Sequence, residues 1–145
     1  MATITINNLD KLSTKLNNLA NIDVEKAVKK ATSFVHGQAK ALAPVDTGRL
    51  RGSIHQNVEK KVNLVVGKVY TNLNYAPYVE FGTGIRGNGS YPYESELKNI
   101  NLAYKEDWKG MKSQPFLFPA IKGSEEYVKS IINSDIKEKI RRLGG

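Results

Sequence analysis

Glu80 is the acid with the least polar surroundings, set between Val79 and Phe81 within the stretch Asn74 to Gly84, NYAPYVEFGTG. A carboxylate in such a frame is at least partly buried, and a buried carboxylate needs a partner. The nearest suitable cations in the pattern are Arg49 and Arg51, each of which offers a fork that satisfies both oxygens, so a structural pair with one of them is expected. Acid–base work would ask for a second carboxylate. Glu94 and Glu96 fall in a polar segment, and Glu125 and Glu126 read as first-turn acids of a helix, where they complement its dipole. Ser53 and Ser90 lack a G-x-S-x-G setting, and neither His36 nor His55 stands beside a triad partner. The chain has no cysteine, and two histidines make a poor metal site. His36 reads as a boundary side chain, with no His, Asp or Glu four residues away. Gly82, Gly84, Gly87 and Gly89 resemble a phosphate cradle only loosely, without a P-loop lysine, and read as hinges. Tyr70, Tyr75, Tyr78, Tyr91 and Tyr93 could stack on single-stranded nucleic acid, although core and interface aromatics account for them better. No catalytic, cofactor or metal site emerges.

Composition agrees with that picture. With 145 residues, 40% of them apolar and 25% charged, the chain reads as a single globular domain over 1–145 with room for a real core. No apolar run approaches the ~20 residues that span a bilayer, and the N-terminus lacks a signal pattern, so cytoplasmic synthesis and no membrane partner are expected. The net charge of +8 raises nucleic acid as a partner. The bases are nevertheless spread along the chain and are mostly lysine, with arginine only at Arg49, Arg51, Arg86, Arg141 and Arg142. Specific recognition favours the arginine fork, so a solvated lysine-rich surface is the better account.

The elements that must position these groups follow from periodicity. Thr3 to Ile6 alternates as a short edge strand would, and Leu9, Leu12, Leu16 and Leu19 mark a helix after an Asn8 cap, ended by Asn21. Asp23 caps a stronger helix with an apolar stripe of Val24, Ala27, Val28, Ala31, Phe34 or Val35, Ala39 and Leu42, ended by Pro44. An Asx or ST turn follows, with Asp46 or Thr47 bonding the backbone two residues on and Gly48 at positive φ. Ser53 to Glu59 and Leu64 to Thr71 predict an antiparallel hairpin broken at Lys60 and Lys61. Tyr75, Tyr78 and Phe81 recur at a spacing of three, predicting a helical turn with Pro77 near its start. The segment 85–113 has no sustained period and predicts a long, mobile or projecting loop, with room for a short hairpin around Asn99 to Trp108. Pro119 then opens a final amphipathic helix marked by Ile121, Val128, Ile131, Ile132, Ile136, Ile140 and Leu143, whose last turns carry Lys137, Lys139, Arg141 and Arg142. The fold class expected is α+β: N-terminal helices, a small antiparallel sheet, a long variable loop and a closing C-terminal helix.

Three blocks are specific together: Ala43 to Ile54 (APVDTGRLRGSI), Tyr75 to Gly84 (YAPYVEFGTG) and Gln114 to Ile121 (QPFLFPAI). In that order they strongly resemble the small neck and tail-completion proteins of long-tailed double-stranded DNA bacteriophages, the family named after the tenth gene product of the Hong Kong 97 phage. Pro44, Asp46, Thr47, Gly48 and Leu50, with Arg49 between them, fall on the first motif. Tyr75, Ala76, Glu80, Gly82 and Thr83 fall on the second, and Pro115, Phe116, Pro119 and Ala120 on the third. The loop between Gly84 and Gln114 is longer than usual for the family.

The resemblance implies a non-enzymatic virion protein of the neck or tail, made in the host cytoplasm. Its partners would be the head-side connector or stopper and the tail terminator or tube, and it would self-associate into a ring, hexameric in the virion. Specific nucleic-acid recognition is not expected. The alternative is a basic nucleic-acid-binding domain, which strong salt dependence of duplex binding would reveal.

Overall fold

In the computed structural model, which describes residues 9–144, a long central helix packs on one side against a β-hairpin and along a second long helix, in an α+β arrangement. The strand expected at Thr3 to Ile6 and the Asn8 cap lie outside the described residues. Helix α1 (Leu9–Ala20) stops where the Asn21 backbone and side-chain N–H groups both donate to the Asn17 carbonyl, at 3.1 and 2.9 Å. Helix α2 (Glu25–Leu42) begins two residues after Asp23, whose Oδ1 accepts the Glu25 N–H at 2.9 Å. Leu42 leaves the apolar stripe and is exposed. Its place in the core goes to Ala43, where the chain turns out of the helix into extended backbone ahead of Pro44. Among the described residues no helix is long and apolar enough to cross a membrane.

The turn after α2 takes the form its residues dictate. Thr47 Oγ1 accepts the Arg49 N–H at 3.4 Å, and Gly48 sits at φ 78°, so the choice between Asp46 and Thr47 falls to threonine. From it grows a four-residue helix, α3 (Arg49–Gly52), too short to leave a periodic trace in the sequence. Strands β1 (Ile54–Lys61) and β2 (Leu64–Thr71) pair antiparallel from Ile54↔Thr71 to Lys61↔Leu64. The expected break at Lys60 and Lys61 is corrected to a two-residue turn at Val62 and Asn63. Lys60 remains in the ladder opposite Val65, and its ammonium lies 3.2 Å from Asp23 and 3.7 Å from Glu25. A two-stranded hairpin is marginal alone in water, and α2 packs against both strands.

The core is built from small residues around one ring. Ala39, Ala43, Ala76 and Ala120 bring α2, α4 (Ala76–Phe81) and α6 (Leu117–Gly144) close about Phe116, with Leu50 and Ile54 completing the cluster. Helix α6 also packs along α2, where Phe34 and Tyr127 meet with ring centroids 4.2 Å apart. Glu125 and Glu126, expected in its first turn, are corrected to the third, because the helix begins at Leu117; they lie 2.8 and 3.8 Å from Lys129. The basic last turn is as expected, with Lys139 on Asp135 and Arg142 on Glu138.

The two ends of the segment 85–113 are tied to each other, while most of 94–109 between them is exposed. Helix α5 (Gly84–Gly87) is tied to the far end of the segment by Ile85 and Arg86 N–H groups donating to the Trp108 and Lys109 carbonyls, both at 2.9 Å. Thr83 and Met111 exchange backbone bonds as an antiparallel bridge. Ser113 binds Ser90 twice, through its N–H at 2.8 Å and its hydroxyl at 2.7 Å. No hairpin forms over Asn99 to Trp108, and the Trp108 carbonyl accepts from the Ile85 N–H instead.

The hinge reading of the glycines is corrected for the same reason. Gly82, Gly84 and Gly87 are buried where two backbones touch. A Cβ on Gly84 would lie 2.4 Å from the Trp108 carbonyl oxygen, and one on Gly110, at φ +64°, 1.8 Å from that of Thr83. Gly89 has φ +68° but open space around it. Gly89→Ala should therefore cost only the left-handed backbone penalty, roughly 1–2 kcal/mol. Gly110→Ala should cost clearly more, because backbone must also move; urea denaturation of the two variants side by side measures the difference.

Candidate functional site

The three sequence blocks converge where α4 meets the start of α6. Helix α6 has no side-chain cap of its own, since Gln114, Pro115 and Phe116 precede it. The first amides of a helix have no partner within it and must find one elsewhere. Here the acceptor is Glu80, on α4. Its Oε2 accepts the N–H groups of Phe116 and Leu117 at 2.7 and 2.9 Å, and its Oε1 accepts that of Phe118 at 3.1 Å. The next residue, Pro119, has no N–H to satisfy. Pro119 is thus the third residue of the helix rather than the first, because the carboxylate draws the helical start back to Leu117.

This geometry corrects the expected ion pair. Glu80 is buried as expected, 4% exposed, but no ion pair with Arg49 or Arg51 forms among the described residues. The charge is met by oriented amides and by the positive end of α6, an arrangement of charge-assisted bonds that needs no cation. The legible signal was the uncapped start of α6; the identity of the donors was not legible, because every residue but proline carries the same N–H.

Around this joint the aromatics form a continuous run. Phe81 and Tyr91 lie edge to face with centroids 5.0 Å apart, Tyr91 and Tyr93 5.7 Å apart, and Tyr93 and Phe118 5.0 Å apart. The Lys122 ammonium sits 5.4 Å from the Tyr93 ring centre. The Tyr91 hydroxyl points to Glu80 Oε1 at 3.4 Å, and burial, followed by the charge of Glu80, pushes its phenol well above the ordinary value. Tyr104 donates to the Phe81 carbonyl at 3.0 Å, and the Gln114 N–H donates to the Val79 carbonyl at 2.7 Å.

The motif residues divide by exposure. Leu50, Ala76, Phe116 and Ala120 enter one core cluster, and Glu80 and Gly82 are buried beside it. Pro44, Gly48, Thr83, Pro115 and Pro119 are half-buried, whereas Asp46, Thr47, Arg49 and Tyr75 face outward. Beyond the motifs, Tyr78, Ile85 and Trp108 are each more than half exposed, and Met111 is exposed beside them on the 83–111 bridge. Sequence reading did not single out Ile85 and Met111; their neighbourhood depends on the backbone closure between 83–86 and 108–111. Elsewhere His36 Nε2 lies 2.9 Å from the Ile54 carbonyl, a boundary role, and Ser53 bonds Thr71. Among the described residues no cluster of His, Asp or Glu could hold a metal ion.

Two measurements probe the joint. Glu80→Gln keeps the size but turns an NH2 toward backbone donors, so it should lose roughly 3 kcal/mol or more, whereas Arg49→Gln and Arg51→Gln should stay within about 0.5 kcal/mol of the parent. Thermal melts of the three variants decide between amide capping and an arginine pair. For Tyr91, whose folded phenol holds its proton above the free value, the unfolded chain ionises first. Stability contributed below about pH 10 is therefore lost as pH rises further. Tyr91→Phe should flatten that alkaline loss in denaturation series run from about pH 8 to about pH 11.

Comparison with known proteins bears on the same region. A family model described as "Bacteriophage HK97-gp10, putative tail-component" matches residues 5–82, just over half of the chain. The matched span includes Glu80 and stops before the amides that Glu80 caps. Neither the curated proteins nor the solved structures contain a match. The chain belongs to the HK97 gp10 family of bacteriophage tail components.

Proposed function

We propose that the protein acts as one domain, a structural subunit of the virion that joins head to tail or completes the tail, and that it carries out no reaction. In this reading it stands as a ring, hexameric by family resemblance, between the head-side connector or stopper and the tail terminator or tube, after synthesis in the host cytoplasm. The observation that carries the proposal is the outward face of the joint. Tyr78, Ile85 and Trp108 are large, apolar and exposed, on backbone fixed by α4, α5 and the bridge at Thr83 and Met111. Exposed apolar groups on a rigid support favour docking, because little ordering remains to be done on binding. The buried motif residues Leu50, Ala76, Glu80, Gly82, Phe116 and Ala120 hold that support. Asp46, Thr47, Arg49 and Tyr75 remain at its surface for polar contacts with neighbours.

A duplex-binding role is less well supported. Lys29, Lys60, Lys68, Lys122, Lys129 and Lys139 each lie against a carboxylate, which removes much of the free positive field that the net charge suggests.

In a phage or prophage that carries the gene, the double variant Ile85→Asp, Trp108→Ala should leave a folded, soluble subunit, since surface changes of this kind shift stability by about 0.5 kcal/mol or less. Heads and tails should then accumulate unjoined in electron micrographs. Normal particle yield from the folded double variant would overturn the docking role.

A further inference from the structure

We infer that helix α1 of one copy docks its leucine stripe into the apolar groove between α2, β2 and α6 of the next copy. The inference rests on the self-association part of the assembly reading and gives it a surface. Leu12, Leu16 and Leu19 recur at spacings of four and three, yet every residue from Lys11 to Ala20 is exposed. A helix of 12 residues is marginal in water unless packing stabilises its apolar face, so this stripe requires a cover. The groove supplies one: about 650 Å³, with Val28 and Val35 on one side, Val65 and Val69 at the base, and Ile121 and Ile132 on the other side.

Dimensions and charge match. From Leu12 to Leu19 the stripe rises roughly 10 Å, and the wall from Ile121 to Ile132 runs roughly 16 Å, long enough to seat all three leucines. The rim carries Glu96 and Glu125 with Lys122 and Lys129, and Glu126, 93% exposed at its side chain, shares Lys129 with Glu125. The two acids and two lysines of the lining thus pair off, Glu126 stands just outside it as a further exposed acid, and on the other partner Lys11 and Lys15 flank the stripe one turn apart.

The groove belongs to another copy because α1 is tethered elsewhere in its own. Just after α1, the carbonyl of Asp23 accepts a bond from Lys139 near the C-terminal end of α6, whereas the groove lies along the opposite half, Phe118 to Ile132. Stripe and groove are different patches. Pairing them copy to copy is heterologous and head to tail, the type of contact that closes into rings.

The cysteine-free chain makes the test direct. Leu16→Cys and Val128→Cys are prepared as separate proteins, checked for native circular dichroism, mixed at high concentration and treated with a short bis-maleimide. A cross-linked heterodimer is expected in the mixture, and adding Leu12→Asp to the Leu16→Cys chain should lower its yield about tenfold or more, since a carboxylate would enter an apolar contact. No heterodimer above the Leu12→Asp control would overturn the inference. So would a double Leu16→Cys, Val128→Cys chain that links only within itself. The cross-link forms without any particle, so it can fail while particle assembly still fails in the Ile85 and Trp108 variants. That combination would leave the junction role standing and remove only this interface.

Discussion

A helix that cannot cap itself sets the terms for the rest of this molecule. The start of α6 presents three amide N–H groups, and the carboxylate that accepts them lies 36 to 38 residues earlier, on α4. Each such bond to a buried ion stabilises by roughly 1.5–3 kcal/mol. The same bonds fix the direction of α6, because a carboxylate in contact with three successive amides tolerates little rotation. Phe116 is thereby placed among the alanines of α2, α4 and α6, and α6 is aimed along α2, which in turn supports the hairpin.

Surface charge plays a lesser part. The lowered acid constants of Asp23, Glu25, Glu59 and Glu125 arise from hydrogen bonds, for Asp23 first to the Glu25 backbone and for the others to lysine. These groups are open to solvent, where pairs contribute little and salt screens them. Their effect is to spread the positive charge rather than to hold the fold. What remains concentrated is apolar: the stripe of α1, the groove beside α6 and the outward face at Ile85 and Trp108.

How far the sequence could be read depends on whether a feature is local. The leucine and alanine periods of α1 and α2 and the valine-rich run of β2 fixed those elements, because the pattern and the structure share one period. The Gly48 turn was legible for the same reason. The partner of Glu80 was not, since backbone donors have no letter. The hairpin turn was set too early because Lys60 and Lys61 look like breakers, although a lysine at a strand end extends readily into water. Gly82, Gly84 and Gly87 read as hinges because a glycine that permits movement and one that permits close approach are written alike. Only the crossing of 83–84 with 108–111 separates the two meanings.

The separation between Glu80 and its amides also ties folding to the completion of synthesis. During translation α1, α2 and the hairpin can form early, but α4 then waits with an acid whose N–H donors have not yet been made. Until Phe116 to Phe118 leave the ribosome, burying that charge is unfavourable, and the segment stays open to chaperones and proteases. A prematurely terminated chain would keep this defect permanently. The carboxylate thus makes completion of the core depend on the third motif: a chain that ends before Phe116 lacks both the donors for Glu80 and the ring at the centre of the cluster.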